Sequence, residues 1–592
     1  MNSCAQLLKS MRSKSSTWCI WLVLTVIILL GMIIRSSLLT HNLPVAWHVD
    51  ERFVLRVLER LEKQNTLDPN FFQYPSLYLY LNHFLLSPFL ELKDYLFGGR
   101  VLNLVSAAFL SFTVFALSKE MFGSVLAGIL AAAATVYSPT MILSASYLST
   151  DTLLSLFCVA SVLFLTRFFR GGHTRDWFVG IVFLGLAIAS KYSAASLLIS
   201  YMIYELIQPC MPKSEGDSGW ARKIIDASVP RNVMIASLLL VFVSLLTVYA
   251  LFPWEQLLAL AGSSGDFNSL IDDSDKTFLT SIRSKFLVLA LIVGCIAVAN
   301  LMSSSFSRRA CRVRPLLGAG ISVMVLFATS PYMLISWKKC AYDFGALMKN
   351  SAGGSQSQWL PYFQRYIAME SILLMVFFGI GLCIAWRQKK NVGFPLLYLF
   401  ISYLIIGGAG SGFPRYLAPL LPVFMAISTW GLVSSCSFAA DKLNSRSLQL
   451  VFVSAFVLLI GLELGPKIQQ RLRLPRNEMR VSYDYVLNNR PTNVFYAAYA
   501  PDVELRTAGF HVVQIPSAKL VEGDVSFFEQ MLPTDILILS GEQVKRLSPL
   551  VLEKLELREM AVKNQDNQKD RDSQKDRDIL SDQYIFCRRS GK

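Results

Sequence analysis

The sequence predicts a mainly α-helical, polytopic transmembrane bundle followed by a small α/β domain, and three observations carry that prediction. Only 16% of the 592 residues are charged while 53% are hydrophobic, and the mean hydropathy is +0.45. A soluble globular chain carries about a quarter charged residues. Charge-free runs also recur at lengths that cross about 30 Å of hydrocarbon, which takes about 20 residues of helix. Finally, the composition changes near residue 466, beyond which short β-type runs replace the long apolar ones.

The spans follow in order. Ser15 to Ile34 is the first, bracketed by Lys14 and Arg35. Others lie between Arg100 and Lys119, on both sides of Asp151, on both sides of Lys191, and between Arg231 and Glu255. Further runs cover Phe286 to Ser307, Pro315 to Trp337, Ser371 to Trp386, both sides of Arg415, and Ser447 to Leu462. That makes about thirteen candidate spans. The first has no small-residue cleavage site after it and reads as a retained anchor.

Positively charged loops stay on the cytoplasmic side, which sets the orientation. Lys9, Arg12 and Lys14 precede the first span. Alternate connections then place Lys119, Arg167-Arg170-Arg175, Arg222-Lys223, Arg308-Arg309-Arg312-Arg314, Arg387-Lys389-Lys390 and Lys442-Arg446 on the same inner side. Much of the net charge of +15 is topology, and no basic patch with interleaved aromatics points to nucleic acid.

The charges that interrupt apolar territory fall on the other side. Asp50 and Glu51, in His48-Val49-Asp50-Glu51, follow the first span by one short loop, and Asp151, Lys191 and Arg415 fall in outer connections. Ionisable groups at membrane depth are costly and mark functional sites. Asp50 to Leu61 alternates apolar and charged residues with a helical pattern and should lie along the interface, with Tyr74 to Leu92 read as a second such helix rather than a span. Outer cations run against the positive-inside bias. Lys191, closing a small-residue helix, and Arg415, among repeated prolines, each suit an anion at the interface, the phosphate of a membrane lipid being the obvious one.

These residues resemble the C-type membrane glycosyltransferases of family 39, the group of dolichyl-phosphate-mannose protein mannosyltransferases and the lipid A aminoarabinose transferase. The resemblance covers roughly residues 18 to 465. It rests on Trp47-His48-Val49-Asp50-Glu51, Phe72-Gln73-Tyr74-Pro75-Ser76-Leu77, Tyr147-Leu148-Ser149-Thr150-Asp151, the Gly185 to Lys191 run, Ser330-Pro331-Tyr332 with Trp337 to Phe344, and Pro414-Arg415-Tyr416-Leu417-Ala418-Pro419. It implies a helical bundle over residues 1–465, with membrane-parallel helices in a first outer loop at 38–98. It also implies transfer of a monosaccharide from a polyprenyl phosphate to a lipid, glycan or protein acceptor, with inversion. Asp50 becomes the principal catalytic acid, Glu51 its common acidic neighbour and Asp151 a second acid. Lys191 and Arg415 become donor-phosphate ligands. His48, Tyr74 and Tyr416 line the substrate pocket. Asn232 to Ser307 holds a pair of spans beyond the simplest members.

The chemistry agrees with these residue types. An inverting displacement needs one carboxylate to take the acceptor proton. The phosphate leaving group needs cations, which Lys191, Arg415 and Arg52 supply, rather than a general acid. No dedicated metal cluster is visible, although Asp50, Glu51 and Asp151 could share a divalent ion. No glycine-rich nucleotide loop occurs. A lipid or oligosaccharide translocase is the alternative, which would spread charge across membrane depth rather than at one surface. A noncatalytic assembly subunit is a third reading.

From 466 to 592 a small outer α/β domain is expected. Its strands are Asn493 to Ala497, His511 to Ile515, Thr534 to Leu539 and Gln583 to Cys587, with a helix over Glu542 to Glu556. A repeated Gln-Lys-Asp-Arg-Asp gives a flexible charged loop at 563–578. Of ten cysteines only Cys340 and Cys587 face outward, so no disulfide framework is implied.

Overall fold

The computed structural model describes residues 2–46, 48–207, 313–352, 359–388, 390, 392–408, 414–443, 445–472 and 478–496, followed by Leu505, Ala508, Phe510 and the strand segments 511–514, 535–540, 555–561 and 583–588. The expected spans at Arg231 to Glu255 and Phe286 to Ser307 lie outside the described residues. So do Trp47, the basic groups at 222–223 and 308–312, the helix over 542–554 and the charged loop.

The chain is mainly α. Its helices are α1 (Asn2–Leu39), α2 (Val49–Lys63), α3 (Leu77–Leu86), α4 (Tyr95–Phe122), α5 (Val125–Tyr137), α6 (Pro139–Ala145), α7 (Asp151–Gly171), α8 (Thr174–Ser190) and α9 (Ala195–Ile207). After residue 313 come α10 (Arg314–Thr329), α11 (Tyr332–Ile335), α12 (Trp337–Ala352), α13 (Trp359–Met369), α14 (Ile372–Arg387), α15 (Gly393–Gly407), α16 (Leu421–Lys442), α17 (Arg446–Leu472) and α18 (Glu478–Asn489). Among the described residues five helices are long and apolar enough to cross a membrane, or up to seven if each of two bent pairs, α5 with α6 and α13 with α14, is one span. Among the described residues the other expected spans fall on the 17-residue α8 and on the shorter apolar helices α9, α10 and α15.

Local chemistry explains the breaks. Ser138 caps α6 and Pro139 opens it, so the α5–α6 pair bends by 59°. Arg35, buried at the end of α1, donates to the Thr135 carbonyl in the last turn of α5, where a cation meets the negative helix end. Pro331 stops α10 at Thr329, short of the expected Trp337. At ten residues α3 is about 15 Å long, half a hydrocarbon core, so it does not cross on its own.

The core joins α4, α5, α7, α8, α9, α15 and α16. Phe122 stacks on Trp430 at 4.2 Å, and α14 meets α16 at Gly381 and Gly431, where a Cβ on Gly431 would stand 2.1 Å from the Phe377 carbonyl oxygen. Large apolar side chains also face outward, with Trp18, Phe109, Phe400 and Leu458 each more than half exposed, as a lipid-facing surface requires. A buried ion pair, Arg314–Glu205 at 2.6 Å, ties α9 to α10 at the end of α9 away from Lys191. Arg314 is expected from the sequence only as part of an inner basic cluster, and its partner Glu205 is not picked out there.

α17 runs through Pro466 to Leu472, so the composition change at 466 falls inside a helix. Beyond it a five-stranded sheet has the order β2-β1-β3-β5-β4, with β1 (Asn493–Tyr496) parallel to β2 (His511–Gln514) and β3 (Ile536–Ser540). β4 (Leu555–Ala561) and β5 (Gln583–Arg588) complete it antiparallel. β4 takes the end of the expected helix. A bulge between Leu557 and Glu559 breaks its alternation, which is why the period of two was not legible there. Val45, three residues before His48, is buried in the core of this sheet with Tyr483, Val494 and Ile536. The sheet and the first loop therefore lie on one side.

Candidate active site

The site begins with the first turn of α2. The His48 backbone N–H donates to Glu51 Oε2 at 3.1 Å, and the Asp50 N–H donates to His48 Nδ1 at 3.1 Å, forming a capping box with histidine as the cap. Both carboxylates thereby stand at a helix N-terminus, where negative charge is favoured. Successive helical residues are about 100° apart, so the two acids diverge.

Glu51 turns into the protein and is fully buried. Arg100 grips it with Nε to Oε1 at 2.8 Å and Nη2 to Oε2 at 3.0 Å, and the Leu148 N–H donates to Oε1 at 2.8 Å. Arg100 Nη1 donates to the carbonyls of Leu39 and His41. Gly99 makes the approach of α4 possible, since a Cβ there would stand 2.0 Å from Leu148 Cδ1. Glu51, expected among the catalytic acids, has both oxygens engaged in joining α2, α4 and the loop before α7. Among the described residues no trio of His, Cys, Asp or Glu is placed to hold a metal ion. Arg52, expected as a phosphate ligand, leaves α2 about 200° from Asp50 and is buried.

Asp50 turns the other way. Arg415, in a short 3-10 turn at Pro414–Leu417, donates Nη1 to Asp50 Oδ2 at 2.7 Å, while Nη2 and the Tyr74 hydroxyl reach Oδ1 only at 3.5 and 3.4 Å. Burial by itself would raise the Asp50 pKa. Arg415, His48, Lys191 and the Tyr74 hydrogen bond outweigh it and hold the carboxyl below its ordinary value. His48 stacks on Tyr147 at 4.4 Å with Arg415 Nη1 2.9 Å from its Nε2. Burial, with the Arg415 charge adding to it against the opposing pull of Asp50, lowers its pKa to about 4, so the ring is neutral.

The second acid and cation arrive from the α7–α8 hairpin. α7 starts at Asp151 and α8 ends at Ser190, so antiparallel packing brings these two ends together, and Lys191 Nζ meets Asp151 Oδ1 at 2.7 Å. Asp151 Oδ2 is buried without a hydrogen-bond partner among the described residues. Lys191 Nζ lies 4.9 Å from the Tyr416 ring and 5.5 Å from that of Tyr74, while Arg415 lies 5.7 Å from the Tyr416 ring. The two ion pairs thus share the Tyr74 and Tyr416 rings. His48, Asp50, Tyr74, Asp151, Lys191, Arg415 and Tyr416 are brought together.

Arg100, Asn103 and Tyr147 had no place in the expected site. Asn103 donates to the Tyr147 and Ser149 carbonyls at 2.7 and 3.0 Å and fixes the loop leading to Asp151. Arg100 stood in plain view as the edge of a span. A cation directly following Gly98-Gly99 was its available signal.

Fold and site together define a multi-pass membrane protein with a buried site of two acids and two cations beside the sheet domain. Residues 80–218 match the family of dolichyl-phosphate-mannose-protein mannosyltransferases, and over that stretch the resemblance read from the residues is borne out. No curated protein sequence matches at a significant level. Among solved structures the chain is similar to the archaeal oligosaccharyltransferase AglB from Archaeoglobus fulgidus in complex with an inhibitory peptide and a dolichol-phosphate, at 12% identity and TM-score 0.48, over 87% of this chain and 69% of that one. It is also similar to ArnT from Cupriavidus metallidurans bound to undecaprenyl phosphate, at 14% identity and TM-score 0.36, over 95% and 97%. A third similarity is to the arabinofuranosyltransferase AftD from Mycobacteria, at 11% identity and TM-score 0.44, over 96% and 40%.

Proposed function

We propose that this protein is a glycosyltransferase that moves a monosaccharide from a polyprenyl phosphate to a lipid, glycan or protein acceptor at the outer face of a cytoplasmic membrane, with inversion. Its N-terminus is inside and its sheet domain outside. One observation carries the reading: Asp50–Arg415 and Asp151–Lys191 pair around the same two tyrosine rings. The reaction needs a carboxylate and phosphate-binding cations in one place. The family match supports it, because its stretch includes Asp151 and Lys191.

The acceptor hydroxyl attacks the anomeric carbon from the face opposite the phosphate and gives its proton to Asp50 Oδ1, which carries only long contacts. The bond from carbon to phosphate oxygen breaks with its electron pair left on the phosphate, and Arg415 and Lys191 stabilise the added charge. Asp151 Oδ2 accepts from a sugar or acceptor hydroxyl. In the resting site Arg415 belongs to Asp50. An arriving phosphate competes for the guanidinium, and its withdrawal relieves the field that lowers the Asp50 pKa, so the base strengthens when donor is bound.

Two measurements test this. Mass analysis of envelope lipids, glycans and proteins from a strain deleted for the gene should show the loss of one sugar. Purified Asp50→Asn should fold and insert normally yet transfer about 100-fold to 10,000-fold more slowly. Unchanged transfer kinetics would remove Asp50 from the base role.

A further inference from the structure

Tyr74 presents its hydroxyl to Asp50 and its ring to Lys191 from a loop without regular structure between α2 and α3. Such a loop holds one geometry only if it is pinned, and the pins stand two residues to either side. Upstream, the Phe72 N–H donates to Asp343 Oδ2 at 2.8 Å and the Phe72 carbonyl accepts from the Tyr192 hydroxyl at 2.9 Å. Downstream, the Ser76 N–H donates to Ser330 Oγ at 2.9 Å. Phe72, Ser76 and Ser330 are fully buried and Asp343 is 5% exposed.

All these partners come from two places. Ser330 and Asp343 belong to the stretch from the end of α10 into α12, and Tyr192 directly follows Lys191. α12 is seated on Tyr192 through Phe344, whose ring meets it edge-on at 5.2 Å. Asp343 is held in turn by Lys339, whose Nζ reaches Oδ1 at 2.6 Å, so each of its oxygens has one task. A buried carboxylate accepting from a backbone N–H is a charge-assisted bond, and its loss leaves that N–H unsatisfied in a dry place.

We propose that Asp343, with Ser330, is a positioning residue for the transfer reaction, acting through Phe72 and Tyr74 on Asp50; this rests on the reading of Asp50 as the base. The test uses the full-length protein in lipid nanodiscs, with total envelope lipid extract from the deletion strain as the source of donor and acceptor and mass spectrometry as the readout. Asp343→Ala and Tyr74→Phe should each lower kcat about tenfold, the worth of one hydrogen bond to a charged group, with little change in apparent KM for the extract. Because they act on one route, the double variant should be no slower than the slower single one. Asp343→Asn, whose amide oxygen still accepts from the Phe72 N–H, should keep most of the rate and separates lost positioning from lost folding. Multiplying losses in the double variant, about 100-fold, or Asn as slow as Ala, would overturn the proposal. Asp50→Asn, run alongside, separates the two ideas: full activity there refutes the base itself, whereas an inactive Asp50→Asn with multiplying losses refutes only the role of Asp343.

Discussion

Replacing Glu51 with glutamine separates the two neighbouring acids more sharply than any other change. Among the described residues donors converge on its carboxylate from two sides: Arg100 Nε and the Leu148 N–H on Oε1, Arg100 Nη2 and the His48 N–H on Oε2. Glutamine keeps the shape but turns one oxygen into an NH2 that faces donors, and it leaves the Arg100 guanidinium, 1% exposed, without its counter-charge. Breaking a buried ion pair on one side costs about 3 to 5 kcal/mol, a large share of a typical total stability. Arg100→Met should cost a similar amount. Glu51→Leu with Arg100→Met should recover part of it, because an apolar pair of similar volume leaves no charge behind. The assay is the apparent unfolding temperature of purified protein in detergent, followed by intrinsic fluorescence. The sign with pH follows from the depressed carboxyl pKa: the stabilisation is present above the ordinary value of 4.5 and is lost as pH falls through the folded value. A Glu51→Gln protein that melts like the wild type yet fails to transfer sugar would refute this reasoning and return Glu51 to the chemistry.

Two further outcomes are expected. Lys191→Met and Arg415→Met should each weaken donor dependence about 10-fold to 100-fold and leave acceptor dependence nearly unchanged, read by titrating each substrate separately; a defect confined to the acceptor titration would remove the phosphate site. His48 is neutral in the folded protein down to about 4, whereas an ordinary histidine takes a proton near 6.5. Between those values the unfolded chain binds a proton that the folded one refuses, so stability falls as pH falls through that window. His48→Gln should flatten this part of the curve of apparent unfolding temperature against pH, and an unaltered curve would show that the ring is not held neutral.

The sequence by itself determined the class of this protein, because burial of apolar runs in lipid is a local property: a charge-free stretch of sufficient length is a candidate span whatever its neighbours are. It also determined which charges were out of place, and Asp50, Asp151, Lys191 and Arg415 do converge in the structure. Tertiary structure decided how they are used. Asp50 and Glu51 are chemically alike and adjacent, yet one turn of α2 points one at Arg415 and the other at Arg100, 49 residues away and visible in sequence only as the edge of a span. The pairing of each cation with its acid depends on which helix ends meet, as at Asp151 and Lys191 across the α7–α8 hairpin. Asp343 is further still: it lies in the Trp337 to Phe344 stretch that resembles the family, yet nothing along the chain links it to the Phe72 N–H that it holds, 271 positions away. Hydropathy is additive along a chain and can be read there, whereas a hydrogen bond between distant segments exists only once packing has chosen its partners.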